Sequence, residues 1–185
     1  MGAKKKKKKS RINLAIKKIF DLGMFLLIVL ILTYLLSNYV VERIVIENHS
    51  MESTLYPDDS VLIDKLSYRF KEPKRFDIIV FKQNGTGEEL IKRVYGLPHE
   101  RIRINNGIIY VNDEEIKDID GVCAPDYAGK AAVDIELLEG EYFVLGDNRE
   151  VSIDSRYDEV GLVTNTRIIG RMFMRILPIS KFKFF

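Results

Sequence analysis

Ser50 is the residue from which nucleophilic chemistry could start, and it directly follows His49. A serine hydroxyl needs a base to take its proton, and histidine is the usual one. Neighbouring residues of an extended chain point to opposite faces, so His49 is poorly placed to bond the Ser50 hydroxyl. His99 follows Gly96-Leu97-Pro98 and is typical of a surface turn. The sequence therefore disfavours a Ser/His pair.

Lys92 is the other candidate base. A lysine amine can replace histidine when burial in apolar surroundings keeps it neutral. In the segment Leu90-Ile91-Lys92-Arg93-Val94, strand alternation puts Lys92 on the same face as Leu90 and Val94, which favours an inward-pointing side chain. The alternative is an amphipathic lysine whose stem covers apolar surface while its amine reaches water. The pattern alone leaves both interpretations open.

Short apolar and β-branched runs, broken by turn residues, follow one another through most of the chain. Their spacing predicts a mainly β domain whose antiparallel strands close into a barrel or sandwich and hold functional side chains on loops and strand ends. The eight predicted strands are 43–47, 60–63, 76–81, 90–94, 101–104, 108–111, 141–145 and 166–174. Short helical turns are predicted at Ser53–Tyr56 and Asn148–Asp158, and a long irregular excursion over residues 112–140.

The amino-terminal part has a different composition. Residues 22–41 form an uncharged run of twenty residues. About twenty residues is the length a helix needs to cross a hydrocarbon core. A cleaved signal peptide would have a shorter apolar region and small residues at its end, so a retained transmembrane helix is predicted. The basic run Lys4–Lys9 precedes it, so the positive-inside rule predicts a cytoplasmic tail over residues 1–21 and an extracytoplasmic domain over residues 42–185.

Charge and cysteine content exclude several classes of protein. The first 21 residues hold nine of the 29 basic residues and one of the 27 acidic ones, so the remainder carries a net charge of about −6. An acidic domain is a poor surface for phosphate backbones, so no nucleic-acid partner is predicted. Cys123 is the only cysteine, which rules out an internal disulfide. Neither histidine has metal-ligand spacing, so no metal and no cofactor are predicted.

Four segments resemble, in the same order, the sequence boxes of type I signal peptidases. The first is Ser50-Met51-Glu52-Ser53-Thr54-Leu55, and the second, Phe76–Phe81, is similar to the family's Gly-Asp-Ile-Val-x-Phe. The third, Ile91–Pro98, resembles the box that carries the family's catalytic lysine. The fourth, Gly146–Arg156, resembles Gly-Asp-Asn-Arg-x-x-Ser-x-Asp-Ser-Arg. The resemblance spans about residues 43–179, and short single-anchor members of this kind are typical of Gram-positive bacteria.

The resemblance implies a role for each matching residue. Ser50 would be the nucleophile, and Lys92 would accept its proton and later protonate the leaving amine. Ser152 matches a serine that hydrogen-bonds the lysine and orients it. The oxyanion would be met by the backbone N–H of Ser50 and by a donor two residues upstream, which is Asn48 here.

Three further residues match positions with a structural role. Asp154 and Arg156 match an ion pair that holds the fourth box in place, and Arg93 matches the neighbour of the lysine. The resemblance implies no cofactor.

Several positions depart from the family's pattern. Asn48 stands where serine or glycine is usual, and its amide could donate like the serine or obstruct the site. Ser53 replaces a proline that would fix the backbone just past the nucleophile. Other residues replace the family's glycines, namely Asp58, Phe76 and His99. These departures suggest a divergent member with a narrow substrate set, such as pilins or other surface-assembly proteins.

The implied partners are the lipid bilayer and preprotein signal peptides with small residues at positions −1 and −3. Such a peptide would bind by strand addition, with Arg43–His49 as one wall of its groove. One alternative is a non-catalytic accessory or chaperone of pilus assembly with the same fold, but a scaffold has no need of Ser50 and Lys92. A self-cleaving repressor shares the dyad, but it would have a DNA-binding domain and no anchor.

Overall fold

The structure, a computed structural model, describes the backbone of residues 2–185 and the side chains of residues 16–36 and 39–185. The chain divides into two compact units at Val40/Val41. The first unit is helical and the second, Val41–Phe185, is built of β-strands.

The amino-terminal unit is one long helix, α1, Gly2–Tyr39. Its segment Ile16–Leu36 has a mean hydropathy of 2.5 and is long and apolar enough, by length and composition, to cross a membrane. The predicted segment 22–41 lies in this helix up to Tyr39, because the β-branched pair at Val40 and Val41 leaves the helix and Val41 opens the first strand. The side chains of the basic run Lys4–Lys9 lie outside the described residues.

The second unit is mainly β, as predicted, and each of the eight predicted strands is present. Their bounds are β1 Val41–Val45, β2 Ser60–Asp64, β3 Ile78–Lys82, β4 Glu89–Gly96, β5 Arg101–Asn105, β6 Ile108–Val111, β9 Glu141–Leu145 and β11 Ile168–Leu177. Four two-residue strands were not predicted, because two residues are too short to show alternation. They are β7 Glu114–Glu115, β8 Ile135–Glu136, β10 Val163–Thr164 and β12 Lys183–Phe184.

The strands form two antiparallel sheets. The larger has the order β1-β2-β11-β3-β4-β9-β10, with β12 added to β11, and the smaller has the order β7-β6-β5-β8. The end strands β1 and β10 of the larger sheet do not pair with each other, so its hydrogen-bonded order is open. Register shifts in β4 and β11 mark bulges, which bend a strand locally and let one sheet serve several packing surfaces.

Three apolar clusters form the core. One packs β5 and β6 against β9, and a second joins β3, β4 and β9. The third lies under the segment that carries Ser50, and its members are Ile46, Met51, Leu55, Val61, Ile78 and Met172. Met51 and Leu55 are 1% and 0% exposed, so the segment just past Ser50 is fastened to the core by two apolar side chains.

Each of the two segments predicted to hold a short helical turn contains a turn closed by an i to i−4 hydrogen bond, and neither turn continues into a longer helix. Over Ser53–Tyr56 the chain makes one turn, closed by the Leu55 N–H donating to the Met51 carbonyl at 2.8 Å, and Ser53 with φ 84° stops its continuation. In Asn148–Asp158, the turn is closed by the Ser152 N–H donating to the Asn148 carbonyl at 3.0 Å, and beyond it the Asp154 carboxylate accepts from the Arg156 N–H, which a longer helix would need. Four single 3₁₀ turns lie elsewhere, at Ser67–Arg69, Gly129–Ala132, Asn165–Arg167 and Ile179–Lys181.

Left-handed backbone explains most of the departures from the family's pattern. Asp58, Phe76 and His99 have φ of 68°, 70° and 66°, and these are the three positions where the resembled family has glycine. Ser53, at φ 84°, adopts a conformation that the proline of the family could not. Left-handed backbone costs roughly 1–2 kcal/mol for a residue with a Cβ, so these positions store strain that glycine would relieve.

Candidate active site

Ser50 lies at the start of the tight turn that follows β1, and it is 9% exposed. The segment before it is fixed to the start of β2, because the Ile46 N–H donates to the Asp59 carbonyl at 2.9 Å. From the other side, the Asn148 N–H donates to the Ser50 carbonyl at 3.1 Å. The hydroxyl is therefore presented from a short, well-fastened turn.

Lys92 lies in the middle of β4, opposite Ile79 of β3, and only 2% of it is exposed. Its Nζ donates to Ser50 Oγ at 2.8 Å and to the Ile91 carbonyl at 3.0 Å. The inward orientation predicted from strand alternation is the one that the structure shows. The contact joins residues 42 positions apart in the chain.

Burial lowers the pKa of Lys92 to about 8, because an ammonium ion is poorly solvated in the interior. The carboxylates of Asp154 and Asp147 act in the opposite direction, and they do not cancel the effect of burial. An amine with this pKa is partly neutral near physiological pH, and it can then act as a general base.

Asn48 contacts Ser50 through its carboxamide oxygen. Oδ1 accepts from the Ser50 backbone N–H at 3.1 Å and from the Ser50 hydroxyl at 2.7 Å. The amide thus lies at the place where a substrate oxygen would meet the Ser50 N–H, but it presents an acceptor there and not a donor. A half-turn about the Cβ–Cγ bond would exchange the two.

Ser152 is buried, 1% exposed, and its hydroxyl makes no hydrogen bond to any atom that the structure describes. The hydrogen bond to Lys92 expected from the resemblance is thus not formed, because the lysine donates to Ser50 and to Ile91 instead. Ser152 is nevertheless close to the nucleophile. A Cβ placed on Gly146 would lie 2.1 Å from Ser152 Oγ and 2.5 Å from the Ser50 carbonyl oxygen.

Arg93 joins three segments of the site. It forms a two-pronged ion pair with Asp147, with Nε and Nη2 at 2.8 and 2.6 Å from the two carboxylate oxygens. It also donates to the Phe76 carbonyl at 2.9 Å and to Thr54 Oγ1 at 3.2 Å. The second, third and fourth boxes and the Ser50 turn therefore meet at one guanidinium group.

Asp154 and Arg156 form the predicted ion pair, and both side chains are fully buried. The guanidinium meets the carboxylate through Nε at 2.8 Å and Nη2 at 2.9 Å, and Asp154 also accepts from the Gly146 N–H at 3.0 Å. The remaining donors of Arg156 bond carbonyl groups of the same loop and of Tyr127. The pair therefore fixes the loop that touches Ser50.

Two structural partners of the site have no signal in the sequence that predicts their role. One is Asp147, which lies in the fourth box and pairs with Arg93. The other is the ion pair of Asp59 with Arg175 at 2.9 Å, in which Arg175 also donates to the Thr54 carbonyl and so holds the Ser50 turn from the side of β11. Partners 116 positions apart leave no local signal in a single sequence.

A cleft of about 470 Å³ lies beside Asn48, between the end of β1 and the start of β4. Both strands have free backbone edges there, since β1 pairs only with β2, and β4 pairs with β9 only from Arg93 onward. The cleft is lined by Ile44, Val45, Ile46, Glu47, Asn48, Met51, Val80, Glu88, Glu89, Leu90 and Ile91. Five of the seven residues of the predicted wall, Arg43–His49, are among these residues.

The two histidines take no part in the site. His49 Nδ1 lies 2.6 Å from Glu52 Oε1, and His99 Nε2 lies 2.6 Å from Glu139 Oε2, both at exposed positions. Within the part of the chain that the structure describes, no three His, Cys, Asp or Glu side chains cluster as metal ligands would.

Comparisons with known proteins identify the family to which the chain belongs. Residues 19–177 match the family model described as "Signal peptidase, peptidase S26". Signal peptidase I of Bacillus caldolyticus is 37% identical over 82% of this chain and 85% of its own length. Probable signal peptidase I-2 of Synechocystis is 34% identical over 87% of this chain and 74% of its own.

Among solved structures, a crystal structure of a signal peptidase I from Enterococcus faecalis V583 is 31% identical. The superposition covers 55% of this chain and 97% of the Enterococcus faecalis chain, with a TM-score of 0.46. The family match covers well over half of this chain, and the relatives share more than 30% identity over most of their lengths. The chain therefore belongs to the peptidase S26 family of signal peptidases, which are serine endopeptidases.

Proposed function

We propose that this protein removes signal peptides from preproteins with Ser50 as nucleophile and Lys92 as general base. The observation that carries the proposal is the 2.8 Å contact between Lys92 Nζ and Ser50 Oγ at a buried position. Family membership supplies the reaction class. The identity of the dyad is inferred from geometry and chemistry.

In the proposed mechanism, the neutral Lys92 amine takes the Ser50 proton as Oγ attacks the carbonyl carbon of the scissile bond. The Ser50 N–H stabilises the oxyanion that forms, and a rotated Asn48 amide would be a second donor. The C–N bond then breaks, the ammonium of Lys92 protonates the leaving amine, and the acyl group stays on Oγ as an ester. Lys92 next deprotonates a water that hydrolyses this ester and restores the serine.

The supporting residues act by position. Arg93 with Asp147, and Asp154 with Arg156, hold the Lys92 strand and the 146–156 loop in register with the Ser50 turn. Ser152, which is buried against Gly146, would orient the lysine after a change of its rotamer.

The substrate is proposed to bind as an added strand in the cleft beside Asn48. Free backbone edges on β1 and β4 would supply main-chain hydrogen bonds, and the apolar wall would contact side chains of the peptide. Side chains alternate along a strand, so the residues at −1 and −3 would face the same wall, where a shallow surface admits only small groups. Pilins and other surface proteins are the proposed preproteins.

The apolar helix is proposed to anchor the enzyme with its amino terminus in the cytoplasm. Nine basic residues precede Leu22, and the positive-inside rule keeps such a segment on the cytoplasmic side. Residues 42–185 would then work outside the cell, where secreted preproteins emerge. Tagging each end and testing its access to an external protease in intact cells would check this orientation.

The test of the dyad is cleavage of a preprotein, and of a pilin precursor, by the purified protein in detergent. Ser50→Ala and Lys92→Ala are each expected to abolish cleavage while circular dichroism stays unchanged. Lys117→Ala, a substitution on an exposed part of the 112–140 excursion, is the matched control and should cleave normally. Intact cleavage by Lys92→Ala would contradict the dyad. A folded wild-type protein that cleaves no precursor would support the accessory role in pilus assembly instead.

A further inference from the structure

The hydrogen bonds around Ser50 have a direction that the donor and acceptor inventory fixes. The backbone N–H of Ser50 can only donate, so the Asn48 atom 3.1 Å from it must be the carboxamide oxygen. That oxygen can only accept. The Ser50 hydroxyl, 2.7 Å from the same oxygen, must therefore donate its single proton to Asn48.

This direction determines what Lys92 does in the resting site. With its proton directed at Asn48, Ser50 Oγ can only accept from Lys92, whose Nζ is 2.8 Å away. The lysine donates to Ser50 and to the Ile91 carbonyl. The proton that catalysis must move from serine to lysine thus points away from the lysine.

We propose that Asn48 is a latch that keeps Ser50 inactive until a substrate enters the cleft. The carbonyl oxygen of the substrate would take the Ser50 N–H and displace Asn48 Oδ1, and the Ser50 hydroxyl would then turn towards Lys92. Asn48 acts through Ser50 and is in this respect a positioning residue. The inference rests on the proposed Ser50/Lys92 mechanism and adds to it a control of the nucleophile by substrate occupancy.

The latch has a consequence for the protonation of the lysine. A serine oxygen that can only accept stabilises the ammonium form, whereas a free hydroxyl can donate to the neutral amine. The charged groups that act on Lys92 are the carboxylates of Asp154 and Asp147, and these are paired with Arg156 and Arg93. None of these four residues contacts Asn48 through a hydrogen bond or ion pair that the structure describes, so removal of the amide leaves them in place.

The experiment is the pH profile of kcat/KM for peptide cleavage by the full-length protein in detergent, because this profile reports the pKa of the free enzyme's base. Asn48→Ala is expected to move the midpoint of the rise to lower pH by about 0.5–1 unit, the size of one exchanged hydrogen bond. Loss of an oxyanion donor would lower the rate at every pH and would leave the midpoint unchanged. Asn105→Ala, in the exposed hairpin between β5 and β6, is the control and should not shift it.

A midpoint for Asn48→Ala that stays at the wild-type value, or that rises, would overturn the latch. If the variant cleaves too slowly for kinetics, the Lys92 pKa can be followed by NMR of lysine labelled at Cε, and the same downward shift is expected. Asn48→Asp, which places a carboxylate beside Lys92, should raise the pKa and shows that the assay is sensitive. Failure of the proposed function would look different, since the wild-type protein would not cleave or Ser50→Ala would remain active.

Discussion

Lys92 Nζ lies 2.8 Å from Ser50 Oγ, and the two residues come from segments that share no strand pairing. Lys92 is held by its pairing with Ile79, and Ser50 by the N–H of Asn148. The short contact therefore results from at least two independent restraints, and each of them can be altered separately.

Cleavage should depend on pH through Lys92. Because burial lowers the pKa of this lysine to about 8, the neutral fraction and hence kcat/KM should rise tenfold per pH unit below pH 8 and level off above it. The measurement is the initial rate of preprotein cleavage from pH 6 to 10. A rate that is flat over this range would show that another group, or no titrating base, limits the reaction.

Lys92 should also make stability depend on pH. The folded-state pKa of about 8 lies below the ordinary value of 10.5, so between these values the unfolded chain binds more protons than the folded chain. The free energy of unfolding should therefore rise with pH from about 8 to 10.5, by about 3 kcal/mol in total. Urea denaturation at pH 7 should show Lys92→Met to be more stable than wild type by up to that amount. An equal pH dependence in Lys92→Met and wild type would rule out this origin.

Asp154→Ala should lose activity mainly through loss of structure. The substitution leaves the Arg156 guanidinium buried without its partner and frees the Gly146 N–H, and breaking a buried pair costs about 3–5 kcal/mol. Thermal unfolding should show a clearly lower midpoint, with cleavage lost in proportion to the unfolded fraction. Asp158→Ala, whose exposed carboxylate meets Lys130, is the control and should change stability by less than about 1 kcal/mol.

Gly146→Ala tests the close approach of the fourth box to the nucleophile. The new methyl would lie 2.1 Å from Ser152 Oγ and 2.5 Å from the Ser50 carbonyl oxygen, so one of these segments must move. Such overpacking costs about 1–3 kcal/mol, and a shift of this kind at the nucleophile should lower kcat about 100-fold. Gly23→Ala, whose new Cβ would have no atom within 4 Å apart from its chain neighbours and the backbone of its own helix, should leave both quantities unchanged. Normal kcat in Gly146→Ala would show that the site tolerates displacement of this loop.

His99→Gly should stabilise the protein. His99 has φ 66° and an exposed side chain, so glycine removes left-handed strain of about 1–2 kcal/mol and sacrifices an exposed ion pair with Glu139 that contributes little. Urea denaturation should give a higher midpoint. His49→Gly, at a position without positive φ, should not stabilise and serves as the comparison. A destabilised His99→Gly would mean that the ion pair outweighs the strain.

The strands, and the candidate pair Ser50 and Lys92 that the structure brings into contact, could be predicted because they leave local signals. Lys92 stands in an alternating run, and Ser50 stands in a recognisable box, so the sequence alone identifies both residues as candidates. The direction of the Asn48 hydrogen bonds could not be predicted, because a side-chain amide has two chemically different ends and the sequence does not say which one faces the serine. The orientation of the Ser152 hydroxyl could not be predicted either, since the resemblance implies a hydrogen bond to Lys92 that the structure does not contain.

Long-range pairs were the other gap. Asp59 with Arg175 joins segments 116 positions apart, and nothing in either segment indicates the other. The left-handed positions show the reverse case, since the sequence alone identifies Asp58, Phe76 and His99 as replacements for glycine, and all three have positive φ. A residue that stands where a family pattern has glycine can therefore indicate left-handed backbone geometry, even though the residue type itself does not favour that geometry.

The open edges of β1 and β4 also affect how the protein behaves in concentrated solution. Unpaired N–H and C=O groups beside a cleft of mixed polarity are a template for any extended chain, including a second copy of this one. Charged side chains at the cleft, such as Glu47, Glu88 and Glu89, oppose such self-association because two copies would bring like charges together. Because these charges only limit self-association, the protein with an empty cleft should still aggregate more readily than the protein with a peptide bound there, since the peptide would cover the unpaired edges.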